Sequence, residues 1–211
     1  VIGNKNYSSW SLRPWMVLVE AGIPFTEKLI RFGEPRFGRQ IRRISPAGTV
    51  PVLLDGKLVI SDSLAILEYL AERYPARNLW PKKREARALA RSVSAEMHAG
   101  FAALRKACPM NLHRPPKPVA MDEAVLRNVV RIEALWRQCR KAHGKGGPFL
   151  FGSFSSADAM FAPVATRFET YAIPVAKDTR AYMQTIFSTR SFQQWKAAAL
   201  KEKWIEEQEE K

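Results

Sequence analysis

Gly48-Thr49-Val50-Pro51-Val52-Leu53, followed by Asp55-Gly56 and Ser61-Asp62-Ser63, reads as a loop, a strand, a tight hairpin turn, a second strand and a helix start. Proline at the head of a strand removes a ladder donor and suits an edge or a bend. The backbone groups of the preceding Val50 are then available to a bound partner. Asp55-Gly56 between two apolar runs is a strong short-range hairpin signal. Ser61-Asp62-Ser63 supplies capping side chains and exposed N–H groups, a place to seat a carboxylate. A proline-bent strand beside an anion-accepting helix end predicts a pocket for a small peptide-like ligand.

Upstream of this stretch, strand and helix signals alternate. Val1-Ile2-Gly3-Asn4 reads as the tail of a strand, and a few residues are expected to precede Val1. A helix is predicted over residues 11–21, with Pro14 tolerated in its first turn, a strand over 25–30 and a short basic helix over 36–44. After the hairpin, Leu64, Leu67, Leu70 and Tyr74 repeat at helical spacing over 62–74. This βαβ…ββα order predicts a small mixed sheet with helices packed on it.

Pro75-Ala76-Arg77-Asn78-Leu79-Trp80-Pro81 reads as a junction, beyond which strand signals vanish. The predicted division is a first domain over 1–76, a linker over 77–83 and a helical domain over 84–211. One long helix is expected over 84–107, with Leu89, Val93, Met97, Gly100 and Leu104 along one stripe. A second carries Val125, Val129, Ile132, Trp136 and Cys139. Ser155-Ser156-Ala157-Asp158 resembles a capping box with Asp in place of Glu or Gln. It opens an apolar helix holding Met160, Phe161, Val164 and Phe168. Two shorter helices are predicted near 180–187 and 191–203.

Composition narrows the class. At 211 residues the chain can bury one large core or two small ones, and no apolar run reaches membrane-spanning length. Cys108 and Cys139 are too few for a disulfide framework and have no metal-ligand spacing, so they read as buried packing thiols. A cytoplasmic protein without a metal is expected. The net charge of +14 is concentrated beyond residue 76, where +11 of it lies. It is scattered along helices among acids, and the chain ends on Glu206, Glu207, Glu209 and Glu210. No basic block with interleaved aromatics marks a nucleic-acid surface, so solvated helix faces are the expectation, with neither nucleic acid nor membrane as partner.

Five motifs in order now resemble the soluble glutathione S-transferases over nearly the whole chain. They are residues 7–13 (Tyr-Ser-Ser-Trp-Ser-Leu-Arg), residues 46–53, Asp62-Ser63, Leu79-Trp80-Pro81, and residues 154–158. The resemblance is to bacterial-type members with a serine-type site and some zeta-class features. It implies an α/β thioredoxin-like N-terminal domain plus an all-α C-terminal domain, and a cis bond before Pro51. It implies further that Thr49, Val50, Pro51, Asp62 and Ser63 bind glutathione, used as co-substrate. Val50 would offer its backbone to the cysteinyl part, Ser63 would take the γ-glutamyl α-carboxylate, and Asp62 would lie near the ammonium. Plain helix capping is the competing reading of the Asp62-Ser63 pair. Thr49 stands where several members have Lys or Gln, leaving Arg36, Arg39, Arg42 or Arg43 as substitutes for binding the glycyl carboxylate.

The implied chemistry is stabilisation of the glutathione thiolate, the nucleophilic form of a thiol. Ser8 and Ser9 are the candidate catalytic residues. Counting back from Arg13 gives Ser8 or Ser9, and the likeness of residues 8–11 to the Ser-Ser-Cys-Ser start of the zeta class, in which the first serine is the catalytic one, favours Ser8. Trp10 replaces that cysteine, which argues against cysteine-based thiol transfer and against zeta-type isomerisation. Tyr7 is the rival thiol donor, and Ser11 best fits the helix cap. Trp10, Met97, His98 and Phe101 are candidates for a second-substrate pocket, although a Met/Phe stripe is more often core. Asp158 resembles the family's buried capping aspartate, a folding element. The expected function is glutathione transfer to a small electrophilic substrate in detoxification, by a homodimer. Glutathione-dependent peroxidase or isomerase activity and a non-catalytic glutathione-fold binding protein are the alternatives.

Overall fold

The computed structural model describes residues 1–207 and Glu210; of the acidic end, Glu209 lies outside the described residues. Helix α1 (Ser9–Glu20) and helix α2 (Phe37–Ile44) precede a hairpin of β1 (Val52–Asp55) and β2 (Leu58–Ser61), and α3 (Ser63–Arg73) follows directly. The remaining elements are helical: α4 (Arg84–Ala99), α5 (Ala102–Ala107), α6 (Glu123–His143), α7 (Ser156–Thr170), α8 (Lys177–Ser188) and α9 (Arg190–Ala199).

The hairpin is antiparallel, pairing Val52 with Ser61 and Asp55 with Leu58. Its loop is therefore Gly56-Lys57, one residue later than the Asp55-Gly56 expected. Gly56 adopts φ 58° at the first loop position, the conformation that lets a two-residue loop match the strand twist. Val1 and Val52 exchange both hydrogen bonds, at 2.7 and 3.0 Å. The strand expected over 25–30 contracts to one parallel bridge between Ile2 and Leu29. That pairing stops at Gly3, where a side chain would collide with the Phe32 ring, and at Asn4, whose Oδ1 accepts the Phe32 N–H.

Three further expectations are corrected. Helix α1 begins at Ser9, so Ser8 occupies the cap position, Ser11 lies inside the helix, and Pro14 falls in its second turn. The helix expected over 84–107 breaks at Gly100-Phe101, with Phe101 at φ 57°. A Cβ on Gly100 would run into the Glu96 carbonyl. The last helix ends at Ala199 rather than 203.

The helical part is organised by α7, every residue of which except Glu169 is buried. Its capping box is complete: Asp158 accepts the N–H and Oγ–H of Ser155 through Oδ2, and Leu150 N–H and Tyr182 O–H through Oδ1. Trp136 of α6 meets the rings of Phe161, Phe168 and Tyr182 in the core. Helix α1 packs on α3 on one side and on α7 and α9 on the other, so one continuous core runs from Leu12 and Met16 through Phe161 to Trp195. Cys108 and Cys139 are both buried thiols rather than a disulfide. Among the described residues no helix is long and apolar enough to cross a membrane.

Candidate active site

A cleft of about 580 Å³ opens where the start of α1, the Val50-Pro51 turn and the start of α3 face α4, α5 and α7. Tyr7, Ser8, Ser9, Trp10, Thr49, Val50, Pro51, Asp62, Ser63 and His98 all line it. Another hollow of about 420 Å³, walled by Trp15, Phe25, Leu54 and Tyr69, contains no serine, histidine or arginine. Serine, histidine and arginine side chains meet in the first, whereas Glu27, Lys28 and Asp55 are the charged residues lining the second.

On one wall the Val50-Pro51 peptide is cis. Neither the N–H nor the C=O of Val50 makes a hydrogen bond among the described residues. Asp62 sits at φ 80°, a backbone state that costs a non-glycine residue of order 1–3 kcal/mol and concentrates at functional positions. Its Oδ1 accepts the N–H groups of Leu64 and Ala65, while Oδ2 lies 3.0 Å from His98 Nε2. The Ser63 N–H, by contrast, has no partner among the described residues. Capping is thus done by one oxygen of Asp62, and the first free N–H of α3 stays available in the cleft, at the positive end of the helix.

Behind Ser63 lies Arg13, fully buried, with Nη1 3.4 Å from Ser63 Oγ and the guanidinium 4.1 Å from the centre of the Trp10 ring. Its Nε has no partner among the described residues. Burial, reinforced by Arg167 and Arg105 and opposed by Asp62, pulls the guanidinium down to about 9, so it remains charged at neutral pH. An interior cation with an unsatisfied donor favours an anion nearby.

The opposite wall carries the serines. Ser8 Oγ donates to Ser11 Oγ at 2.7 Å, and Ser11 Oγ also accepts the Gly3 N–H at 3.2 Å. A hydroxyl is both donor and acceptor. Reversing the Ser8–Ser11 bond, with Ser11 as donor, leaves the Ser8 proton free to point into the cleft. Ser9 Oγ accepts from Arg167 Nη2 at 3.3 Å, and the same guanidinium is held by the carbonyls of Cys108 and Pro163. Arg105 donates to the carbonyl of His98 and lies 5.4 Å from the Trp10 ring centre. Asp62 is the one acid among the described lining residues, so the site as a whole is cationic.

Several sequence-predicted residues fall elsewhere. Met97 and Phe101 are buried in the core and do not line the cleft; only Trp10 and His98 of that group do, packed edge to face at 5.3 Å. Arg36, Arg39, Arg42 and Arg43 are all exposed and none lines the cleft, although the Arg42 side chain lies over Gly48. Tyr7 donates its O–H to Glu210 at 2.5 Å. Burial and that carboxylate push the phenol up, so it stays a neutral O–H, but its proton is already engaged by Glu210.

Arg105, Arg167, Phe32 and Met110 line the cleft without having been anticipated. Two of them carried a signal. Arg105 stands seven residues from His98, on one face of the expected helix. Arg167 is a lone cation on the apolar face of α7, and a charge on a buried stripe calls for a partner or a ligand.

A family model for the glutathione S-transferase N-terminal domain matches residues 7–73. The chain is 32% identical over 117 residues to glutathione S-transferase Z1 of Arabidopsis thaliana, an alignment covering 53% of this chain and 52% of that protein. It is 39% identical over 74 residues to a probable maleylacetoacetate isomerase of Vibrio cholerae, covering 33% and 34%. It thus spans about half the length of the first relative and a third of the second. A glutathione transferase homolog from Burkholderia, solved with bound glutathione, superposes with a TM-score of 0.72 at 24% identity, over 94% of this chain and 96% of that one. Residues 7–73 thus match the glutathione S-transferase N-terminal domain, and the chain as a whole has the fold of the solved glutathione transferases.

Proposed function

We propose that the cleft binds glutathione and raises the reactive fraction of its thiol for attack on a small electrophile. The observation that carries this reading is the pairing of two unused donor sets in one cleft. Val50 presents a free N–H and C=O in the manner of a strand edge, and Ser63 presents a free N–H backed by Arg13. A peptide-like ligand satisfies the first and a carboxylate the second. Asp62 is placed for an ammonium. With the tripeptide so held, its sulfur would lie toward the α1 N-terminus, where Ser8 is the donor we assign to the thiolate and Arg167 adds positive charge beside Ser9. Such donors lower a thiol pKa from about 8.5 toward neutrality. Titration calorimetry with glutathione is the test: saturable binding that Ser63→Ala weakens is expected, and a folded protein that takes up no glutathione would overturn the reading.

The second substrate would sit against Trp10, Arg105 and Arg167. Two guanidiniums beside the proposed sulfur position favour an electrophile carrying a carboxylate. This gives glutathione-dependent isomerisation of an unsaturated acid weight as the second reading, and one relative bears the name of such an isomerase. Turnover of a carboxylated electrophile, against its methyl ester, distinguishes the two. We further propose a domain division at 1–76 and 84–211 and a cytoplasmic homodimer acting in detoxification. The exposed apolar side chains Leu54, Leu58 and Val59 on the hairpin and Leu126 and Val130 on α6 support dimerisation, and sedimentation equilibrium checks it.

A further inference from the structure

The turn over residues 4–8 delivers Ser8, and much of what holds it lies outside itself. The Asn4 carbonyl accepts the Tyr7 and Ser8 N–H groups, the Tyr7 and Ser8 carbonyls accept from Ser9 and Leu12, and Ser8 Oγ bonds Ser11; the carboxylates that hold residues 4–7 come from distant chain. Glu202, itself buried, accepts the Lys5 N–H at 2.8 Å and the Asn6 N–H at 3.1 Å on its two oxygens. Glu206 accepts from Asn4 Nδ2, and Glu210 accepts both the Tyr7 O–H and Asn111 Nδ2. Trp204 lies 4.4 Å from the Arg31 guanidinium, which fixes the same segment to the first domain.

We propose that Glu202, with Glu206 and Glu210, positions the thiol-activating turn: the acidic tail following α9 is a clamp that presets Ser8 for the glutathione sulfur. The physical case is the spacing of the carboxylates. Residues 202, 206 and 210 each reach a different residue of one short loop, and a carboxylate shared between two successive backbone N–H groups fixes the peptide plane between Lys5 and Asn6. Charge-assisted bonds of this kind are stronger than neutral ones, and a donor set in advance is what stabilises developing charge. None of the three carboxylates touches the cleft, so they act through the turn. This inference rests on the assignment of Ser8 above.

The test compares Glu202→Ala and Glu202→Gln with the unmodified chain. Hydrogen exchange comes first, because it needs no ligand. Glu202→Ala should speed exchange of the Ser8 and Ser9 amides by about tenfold or more while the hairpin and α3 amides stay unchanged. In the second arm, the thiol of bound glutathione should titrate about one pH unit higher, with kcat falling about tenfold and glutathione Kd within about twofold. Glutamine, which keeps one acceptor, should recover part of both effects. Tyr7, Asp62, His98, Arg105 and Arg167 also face the cleft, but Glu202→Ala alters none of them, so a shift in the profile reports the turn. If Glu202→Ala fails to fold, Glu210→Gln and Tyr7→Phe carry the same measurements. Unchanged exchange at Ser8 and Ser9 overturns the clamp. So does faster exchange with an unmoved thiol titration. Failure of the unmodified protein to bind glutathione would instead sink the ligand assignment, leaving the exchange arm to decide whether the tail fixes the turn.

Discussion

The two walls of the cleft are built by different means. The wall proposed for the tripeptide backbone is local: the hairpin pairs residues within ten positions of each other, and Asp62 caps N–H groups two and three residues ahead. The serine wall is assembled from the whole chain. Its contacts reach from Lys5 to Glu202, from Asn6 to Asn111 and from Ser9 to Arg167. The proposed binding wall therefore depends mainly on a short segment, braced by Val1, Arg13 and His98, whereas the proposed thiol activation depends on the helical part being complete. Damage to distant helices should fall on turnover before it falls on glutathione affinity.

The sharpest way to break this contrast is Ser8→Ala. Removing one preset donor to developing negative charge should lower kcat/KM by about 10²–10³-fold, or about 3–4 kcal/mol, with glutathione Kd within about threefold. Ser9→Ala should cost about tenfold or less, since Ser9 Oγ is already an acceptor for Arg167. An inverted order in single-turnover assays would transfer the role to Ser9.

Next in size is Asp158→Ala, which strips the acceptor from four donors in the core. We expect a loss of about 3 kcal/mol or more in urea unfolding, with glutathione affinity of the remaining folded protein unchanged. The aspartate also sets a pH signature. Burial pushes its carboxyl up to about 6, against the pull of Leu150, Ser155 and Tyr182. Between its unfolded value of about 4 and about 6 the folded state holds more protons than the unfolded one, so this group's contribution to stability falls as pH rises. The stability difference between the native chain and Asp158→Asn should shrink over that window; a difference that grows would show the ionised form to be the better fit.

Ser63→Ala tests the local wall alone. It should raise glutathione Kd about tenfold, near 1.4 kcal/mol, with kcat unchanged, as read by calorimetry and steady-state kinetics. A fall in kcat instead would mean that the walls are not separable. The smallest effect concerns the thiols. Burial pushes Cys139 up to about 12, and Cys108 is equally enclosed. Neither should react with a disulfide reagent in the native state, and both should on unfolding.

Much of the fold was legible because its signals are short-range. Alternation and Gly56 specify the hairpin, Asp62 and Ser155 mark helix starts, and apolar stripes at helical spacing mark α3, α6 and α7. The misses have identifiable physical causes. The strand over 25–30 carries the right residue types, yet its pairing depends on where Gly3 meets Phe32. Gly100 looked like one more small residue on a stripe, whereas its neighbour Phe101 takes a left-handed conformation that ends α4. Met97 and His98 are adjacent in sequence, but a helix turns them some 100° apart, one into the core and the other onto Asp62.

Taken alone, the sequence determined the Val50-Pro51 hairpin and the Asp62-Ser63 helix start from interactions a few residues long, and it marked the serine pair through resemblance to a known family. Only the tertiary structure decided that Arg13 and Arg105 flank Trp10 and Arg167 reaches Ser9, that the surface arginines of α2 stay out, and that Tyr7 is engaged by Glu210. The reason is electrostatic as well as topological. A charge has meaning only through what is packed within a few ångströms of it, and packing in this chain joins residues more than 150 positions apart.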